Sequence, residues 1–418
     1  MRTLDPFLRS FILLGLLIVG EFNLCGQAAG PSTGQGTGPQ PAAQAGAKGK
    51  GQSQRVEVAA IYFPGYHQDP HYDAWFGEGW NEWKLLMEAQ PRFPQQHFFR
   101  PAWGPFDEAA PRQMERQIDL AADHGIDVFV FDWYWYSGVK ILYRPLEEGF
   151  LHTTNQARLK FALMWANHDW RTLFPAPADN KQTIYLPTRT SPADFRHLMA
   201  YCITNYFHRP NYWRVDGGLY FSIFDVGAFM QQLGGAAATQ KVFEDARRQA
   251  AQAGVGRMHF AAFGGDASSL AAFKEAGFDS VTTYNITASS KASLPDHPLD
   301  EYADVVEDHQ AFWKQMDTGT LPYGPVVTVG WDPSPRWARD ISFPPANLGY
   351  PYTTVVVHNT PERFGDLCRR ARQFCERARL RPPGIFVNAW NEWTEGSALL
   401  PDQEFKTGYL EQLKQALK

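Results

Sequence analysis

Two glutamates in one short segment, Glu392 and Glu395, have the residue type and spacing that acid–base chemistry requires. The segment Ile385–Gly396 reads I-F-V-N-A-W-N-E-W-T-E-G, and its apolar start predicts a buried strand. Two carboxyl groups can divide acid and base roles when their surroundings separate their pKa values. The indoles of Trp390 and Trp393 offer flat faces that stack on ligand rings. The alternative interpretation is a helix start with acidic residues near its positive end and tryptophans in the core.

The elements that position this segment alternate between β-prone apolar runs and helical patterns from Val56 onward. Eight β-then-α units predict a single (β/α)₈ barrel, an α/β fold. A doubly wound open sheet is the alternative, but no G-x-G-x-x-G follows the first strand to support it. The predicted strands are Val58–Phe63, Val128–Trp133, Phe161–Trp165, Leu219–Phe224, His259–Phe263, Ser280–Tyr284, Val326–Trp331 and Ile385–Trp390. The predicted helices are Ala109–His124, Leu142–Leu151, Pro192–Phe207, Thr239–Ala253, Ser268–Ala276, Leu299–Asp317, Pro361–Ala378 and Lys406–Leu417.

Polar and aromatic residues collect at the predicted strand ends, where (β/α)₈ barrels place their active sites. A bowl lined with aromatic, acidic and neutral polar groups is suited to an uncharged sugar. Trp133 or Trp135 could instead fill the core. The candidate substrate-binding residues are Tyr62, His67, Asp132, Trp133, Tyr134, Trp165, Asn167, His168, Asp169, Tyr284, Trp331, Trp390, Asn391 and Trp393. We expect at least two of Trp133, Trp165 and Trp331 to face the bowl.

The long first loop, from Gly65 to Phe106, belongs to the same mouth of the barrel. Its tetrapeptide Trp80-Asn81-Glu82-Trp83 repeats the sequence of Trp390–Trp393, but no predicted strand precedes it. Glu82 is therefore either a contact at the rim or a buried anchor. The acidic and imidazole groups of His67, Asp69, His71 and Asp73 lack a known metal-ligand pattern, which favours a solvated loop over a metal site. No metal or other cofactor is predicted.

The N-terminal part of the chain has a different composition from the rest. Met1–Ala28 resembles a secretory signal peptide, with two arginines, a short apolar run and the small-x-small site Gly26-Gln27-Ala28. Residues 29–55 predict a disordered linker rich in Gly, Ala, Gln and Pro, and residues 56–418 predict the catalytic domain. We therefore expect a secreted or periplasmic protein without a transmembrane anchor in its mature form. A lipoprotein attached through Cys25 is disfavoured because Leu24 precedes it.

Charge and cysteine content exclude further classes. A net charge of −5 without a long basic run disfavours nucleic acid as a partner. Cys368 and Cys375 are seven residues apart on one predicted helix, too far along its axis to form a disulfide, and Cys202 lies on another helix. We expect free and mostly buried thiols.

Five motifs together resemble the glycoside hydrolase family 99-like group, which includes the WbsX-like proteins. They occur in order from Val56 to the C-terminus, and the resemblance implies a (β/α)₈ barrel. In the endo-α-mannosidase branch, the residues that match Glu395 and Glu392 act as the general acid/base and as the base for the substrate 2-hydroxyl, with net retention. The motifs are Ala60–His67, Trp75–Trp83, Gly125–Trp135, Met164–Trp170 and Trp390–Gly396. Pro64-Gly65-Tyr66-His67 and His168 depart from the usual WbsX-like pattern, which bears on the choice of sugar.

Three functions remain to be compared. The first is an exported glycoside hydrolase that cleaves glycosidic bonds in a polysaccharide or glycan. The second is a WbsX-like glycosyltransferase of polysaccharide biosynthesis, which an exported chain disfavours because nucleotide-sugar donors are cytosolic. The third is a carbohydrate-binding barrel without catalysis, which the presence of both Glu392 and Glu395 disfavours.

Overall fold

A computed structural model of the protein describes residues 55–94 and 96–417. The predicted signal peptide and almost all of the predicted linker, and with them Cys25, lie outside the described residues. Parallel strands form a barrel, which confirms the predicted (β/α)₈ fold. The barrel strands are β1 (Val58–Tyr62), β2 (Val128–Tyr136), β3 (Lys160–Trp165), β4 (Gly218–Ile223), β5 (Met258–Phe263), β6 (Ser280–Thr282), β7 (Tyr323–Gly324 and Val326–Thr328) and β8 (Ile385–Asn388).

The seventh strand closes the barrel although it is interrupted. Pro325 separates its two segments because proline cannot donate a ladder hydrogen bond. The first segment pairs with β6, with Tyr323 opposite Val281, and the second pairs with β8, with Val326 opposite Phe386. Since β8 also pairs with β1, the ring of eight parallel strands is complete. Their carboxyl ends therefore meet at one mouth of the barrel.

The helices surround the barrel, and most lie within a few residues of their predicted positions. The predicted helix Leu142–Leu151 is instead a π turn, Pro145–Gly149, followed by a 3₁₀ turn, Phe150–His152. Residues Leu299–Glu301, predicted as helix, form a short strand beside Val355–Val357. The α-helices are Pro70–Phe76, Trp83–Glu88, Pro111–Asp123, Pro192–Cys202, Val226–Leu233, Ala236–Gln252, Leu270–Ala276, Tyr302–Met316, Pro361–Arg377 and Gly408–Ala416. The first, second and fifth of these were not predicted.

Local sequence explains where these helices begin and end. Pro192 occupies the first turn of its helix, and Ser191 and Asp194 form a reciprocal capping box before it. Within residues 55–94 and 96–417, no helix is long and apolar enough to cross a membrane. Three cysteines of this part of the chain are unpaired, with Cys202 and Cys368 buried and Cys375 half-buried.

Candidate active site

The two glutamates of the last motif follow β8 on a tight turn. Asn391–Glu392 pairs with Ser397–Ala398 as a two-residue hairpin, and Trp393–Glu395 forms a 3₁₀ turn between them. Gly396 ends the turn with φ 66°, and a Cβ on it would lie 2.9 Å from Asp332. Only glycine fits there without strain. The turn keeps both carboxylates at the mouth of the barrel, where Glu392 is 3% and Glu395 5% exposed.

Arg336 is bonded to both glutamates. It ends the 3₁₀ turn Ser334–Arg336 in the loop after β7, and only 4% of it is exposed. Its Nη1 lies 2.5 Å from Glu395 Oε1, and its Nη2 lies 3.1 Å from Glu392 Oε2. The planar guanidinium offers its donors in a fixed fork and so holds two carboxylates in one geometry. Arg336 also donates to the hydroxyl of Tyr350.

Glu82 completes this cluster from the first loop. Its Oε2 accepts from Arg336 Nη2 at 3.1 Å and from the hydroxyl of Thr394 at 2.6 Å. The side chain is fully buried, so Glu82 is the buried anchor rather than a contact at the rim. The two copies of the W-N-E-W tetrapeptide thus supply two acids to the same arginine. This contact ties the first loop to the turn after β8.

The cluster contains more negative than positive groups. Burial, reinforced by the charge of Glu395, raises the pKa of Glu392 well above its ordinary value. Burial also raises the pKa of Glu82 and, with a smaller effect from Glu395, the pKa of Asp132. Four buried carboxyl groups face one guanidinium, and several buried like charges cannot all ionise together. The raised pKa values of Glu82, Glu392 and Asp132 therefore favour the protonated forms of these carboxyl groups, and acid catalysis requires a proton in the site.

Asp132 and Tyr284 face the glutamates from the other side of the mouth. The Tyr284 hydroxyl lies 2.9 Å from Asp132 Oδ2 and 3.4 Å from Glu392 Oε1. The remaining oxygens, Asp132 Oδ1 and Glu395 Oε2, are buried and have no hydrogen-bond partner among the described residues. Such atoms need donors, and sugar hydroxyls are suitable donors. The side chain of Tyr134 lies beside this pair and packs edge-on against His168.

Several predicted ligand contacts lie in the layer between the barrel and its helices. Trp133 stacks on Trp135 and packs against Tyr206 of the outer layer, and its neighbour in register, Trp165, packs against Phe195 and Phe229. Trp133 and Trp165 therefore do not face the bowl. The expectation that at least two of the three strand-end tryptophans face it is wrong.

Tyr62 and Trp390 lie in the same outer layer. Tyr62 packs on Phe129 and Phe131, and Trp390 donates to Gln117 of the helix Pro111–Asp123. Both side chains are fully buried. The structure therefore places them away from the Arg336 cluster.

Asn391, Asn167 and Asp169 hold backbone segments around the site. Asn391 clamps both backbone groups of Phe63, and Asn167 does the same for Asp225. The Asp169 carboxylate accepts from Thr188 N at 2.8 Å and pairs with Arg171. These three side chains position the loops of the mouth.

Two further tryptophans lie next to the cluster. Trp331 donates to Thr353 at 2.9 Å, with its ring 6.2 Å from the ring of Tyr350. Trp393 packs beside Trp83 of the first loop, with 6.2 Å between ring centroids. Both indoles are buried, with 3% and 1% exposed, so each supports a side of the site.

His67 is a buried residue of the first loop rather than a solvent-exposed one. Its Nε2 is 3.9 Å from Asp69 Oδ2, and burial lowers its pKa to about 4. Asp69 is also buried, and its carboxylate caps the helix Pro70–Phe76. The expectation of a solvated loop is therefore wrong for these two residues. Over the part of the chain that the structure describes, no three His, Cys, Asp or Glu side chains are placed to hold a metal ion.

Sequence reasoning missed Arg336 and Tyr350. Both belong to the long loop after β7, and Tyr350 donates to Glu395 Oε1 at 2.7 Å. The available signal was weak, namely one arginine soon after Trp331-Asp332 at the end of a barrel strand. Asp332 and Gln96 fix this loop through a hydrogen bond of 2.7 Å.

Comparisons with known proteins agree with this architecture. The "Uncharacterized protein WxcX" of Xanthomonas campestris pv. campestris (strain B100) is 26% identical over 373 residues, 86% of this chain. The chain spans about half of that relative, 49% of its length. A GH99 endo-alpha-mannosidase structure from Bacteroides thetaiotaomicron matches with a TM-score of 0.52 and 15% identity, over 86% of this chain and 96% of that one. A structure titled "Glycoside hydrolase-like protein" matches with a TM-score of 0.58 and 15% identity, over 88% and 95%.

The sequence profile of one family covers nearly the whole described chain. That family is described as "Glycosyltransferase WbsX", and the match extends over residues 58–413. It includes all eight barrel strands and both copies of the W-N-E-W tetrapeptide. The chain therefore belongs to the WbsX glycosyltransferase family, and its fold is that of the (β/α)₈ glycoside hydrolases.

Proposed function

We propose that the protein is a glycoside hydrolase that cleaves glycosidic bonds in a polysaccharide or glycan. The main observation in its support is that Glu392 and Glu395 share one buried guanidinium, that of Arg336, at the mouth of the barrel. Fold similarity to enzymes that act on glycans supports the class of reaction, although fold alone does not specify chemistry.

The two glutamates divide the chemistry of this proposal. Glu395 has Oε1 engaged by Arg336 and Tyr350, which leaves Oε2 to protonate the departing glycosidic oxygen. Glu392 takes the proton of the substrate 2-hydroxyl, and that oxygen then attacks the anomeric carbon. Water opens the resulting anhydro-sugar, and two inversions give net retention. Arg336 holds the carboxylates in a preorganised arrangement while charge shifts between them.

A second candidate, sugar transfer from a nucleotide donor, is favoured by the family's description as a glycosyltransferase. The electrostatics of the site disfavour it. A nucleotide diphosphate needs positive charge or converging backbone N–H groups. Arg336 is already bonded to Glu82, Glu392 and Glu395, so the cluster repels phosphate. A third candidate is a carbohydrate-binding barrel without catalysis. It does not account for the different surroundings of the two glutamates, with Glu395 bonded to Tyr350 and Glu392 contacted by Tyr284.

The proposal also includes the location of the enzyme and the type of sugar. The signal-like segment Met1–Ala28 supports export, where polysaccharides are accessible and nucleotide sugars are scarce. Buried carboxyl oxygens without partners support an uncharged sugar at the cleaved bond, and α-mannosides are the first to test. N-terminal sequencing of native protein is expected to find a start near Ala29 in the exported fraction. An intact Met1 on cytosolic protein would instead favour the transferase.

A panel digestion tests the hydrolase proposal. The full chain is incubated with α-mannan, β-mannan, galactan, polyuronate and bacterial O-chain polysaccharides, and the products are sized by mass spectrometry. Glu392→Gln and Glu395→Gln are the inactive controls, and nucleotide sugars with acceptor glycans form the transferase arm. We expect hydrolysis of a neutral glycan by the wild type alone. Product formation only with a nucleotide sugar, or equal hydrolysis by all three proteins, would overturn the proposal.

A further inference from the structure

The hydroxyl of Tyr284 lies between two carboxyl groups that come from different strands. It is 2.9 Å from Asp132 Oδ2, on β2, and 3.4 Å from Glu392 Oε1, after β8. A phenol has one proton and can donate to only one of these oxygens. The second contact is a hydrogen bond only when the other carboxyl carries a proton and donates to the phenol oxygen. With both contacts made as hydrogen bonds, Asp132 and Glu392 share one carboxyl proton through the phenol.

The surroundings keep this proton inside the site. Asp132 is 4% exposed and Glu392 3% exposed, so exchange with bulk water is restricted. Burial raises the pKa of both carboxyl groups, and it raises the pKa of Tyr284 so far that the phenol stays neutral. The charged and titratable groups that face the three residues are Glu82, Tyr134, Arg336 and Glu395. The single cation among these groups is bonded to Glu82, Glu392 and Glu395, whereas Asp132 relies on Tyr284.

We infer that Asp132 and Tyr284 form a proton relay that stores the proton Glu392 must lose before it can act as a base. In the stored state Asp132 is protonated and donates to Tyr284, which donates to ionised Glu392. In the return step the proton of Asp132 Oδ2 moves to the phenol oxygen while the phenolic proton moves to Glu392 Oε1. One O–H bond breaks and one forms at each transfer, Tyr284 is neutral before and after, and the total charge is constant. This role rests on the proposed hydrolase function, and both residues are positioning residues because they act through Glu392.

The pH dependence of turnover tests the relay. Tyr284→Phe is compared with the wild type on the best substrate of the panel. In this variant ionised Glu392 loses the hydrogen bond from the phenol, so its pKa rises. The acid limb of the kcat profile is then expected to move up by about one to two pH units, the effect of losing a hydrogen bond to an ionised group. Raising the pH should restore turnover.

A matched control separates this effect from general damage to the site. Tyr136→Phe removes a different phenolic hydroxyl, on β2, which donates to the backbone of His168. The acid limb of the kcat profile of this variant should stay in place. A merely structural role for Tyr284 predicts a rate that falls by the same factor at every pH. That result in Tyr284→Phe, or an equal shift in Tyr136→Phe, would overturn the relay.

Infrared spectroscopy of the free protein tests the shared proton without substrate. Aspartate labelled with ¹³C at the side-chain carboxyl shifts the C=O band of a protonated aspartic acid and leaves the glutamic bands unchanged. The difference spectrum of wild type minus Asp132→Asn at neutral pH is expected to contain a label-sensitive protonated-carboxyl band. The same comparison in a Tyr284→Phe background should show a displaced band. A difference spectrum without such a band would overturn the relay even if the panel detects hydrolysis. If the band is present but the panel detects no hydrolysis, the shared proton stands and only the proposed hydrolase function fails.

Discussion

Arg336 Nη1 lies 2.5 Å from Glu395 Oε1 although 59 residues separate them in the chain. The arginine belongs to the loop after the seventh strand and the glutamate to the turn after the eighth, so closure of the barrel brings them together. Because the same guanidinium also contacts Glu82 and Glu392, three loops of the mouth are joined by one side chain. A buried network of this kind holds its members in place only while every partner is present.

Removal of Arg336 should therefore affect both stability and turnover. Arg336→Gln leaves buried carboxylates without their cation, which typically costs about 3–5 kcal/mol in the free energy of unfolding. The carboxyl groups reduce this cost by taking up protons, so the folded variant binds more protons than its unfolded chain. The loss of stability relative to the wild type should therefore shrink as pH falls. Denaturant unfolding from acidic to neutral pH measures this. Arg339→Gln, which removes an exposed arginine paired with Glu88, is the matched control. A deficit that does not change with pH would contradict the prediction.

The two glutamates should fail in different ways. Glu395→Gln cannot protonate a leaving group, so we expect a loss of about 10²–10⁴-fold on glycans and a smaller loss on aryl glycosides with good leaving groups. Glu392→Gln should lower the rate whatever the leaving group. The wild type should not hydrolyse a 2-deoxy substrate, because that substrate lacks the hydroxyl on which Glu392 acts. Steady-state kinetics on paired substrates, with melting curves for each variant, measure the effects. Near-normal turnover together with a large drop in melting temperature would make the pair a structural anchor.

Glu108 should make stability depend on pH. Burial raises its pKa from 4.5 to about 8, while it accepts from Asn391 Nδ2 at 2.6 Å. Between these two values the folded chain keeps the proton and the unfolded chain releases it, so stability falls as pH rises through this window. Relative to Glu108→Gln, the wild type should lose stability from pH 4.5 to 8. Unfolding across this range tests it, with the exposed Glu244→Gln as control, and parallel curves for all three proteins would contradict it.

The outer tryptophans should matter for folding rather than for binding. Trp133→Ala and Trp165→Ala each remove a buried indole from the layer between barrel and helices, which typically costs about 3–5 kcal/mol. The fraction that still folds should bind glycan normally. Calorimetric titration with the folded fraction measured in parallel provides the check. Weakened binding without loss of stability would place these indoles in the binding site after all.

The acidic mouth should discriminate against anionic sugars. Two like charges about 4 Å apart repel by about 4 kcal/mol at an effective dielectric constant of about 20. We therefore expect kcat/KM for a uronate-containing glycan to be at least about tenfold below that of its neutral analogue. Added salt should change this ratio little because the carboxyl groups are buried. Equal rates on carboxyl-reduced and native polyuronate would contradict the prediction.

The sequence alone determined the barrel and the position of its acidic turn. Each strand is a local run of apolar residues with a breaker nearby, and strand ends in such a barrel converge on one mouth. Glu392 and Glu395 could therefore be placed at that mouth without knowledge of any contact. The predicted helix at Leu142–Leu151 was wrong because Leu142 has a left-handed backbone with φ 53°, and Pro145 is tolerated only in the first turn of a helix.

Only the tertiary structure decided which side of each strand faces the site. All nine residues of β2 are buried, so its sequence does not distinguish inward from outward positions. Alternation then sends Asp132 and Tyr134 inward and Trp133 and Trp135 outward, and a one-residue error in this choice exchanges the two sets. Arg336 and Tyr350 could not be placed from sequence either, because a long loop has no periodic pattern that fixes its path. Their positions depend on contacts with Glu82, Glu392 and Glu395, which form only when the barrel closes.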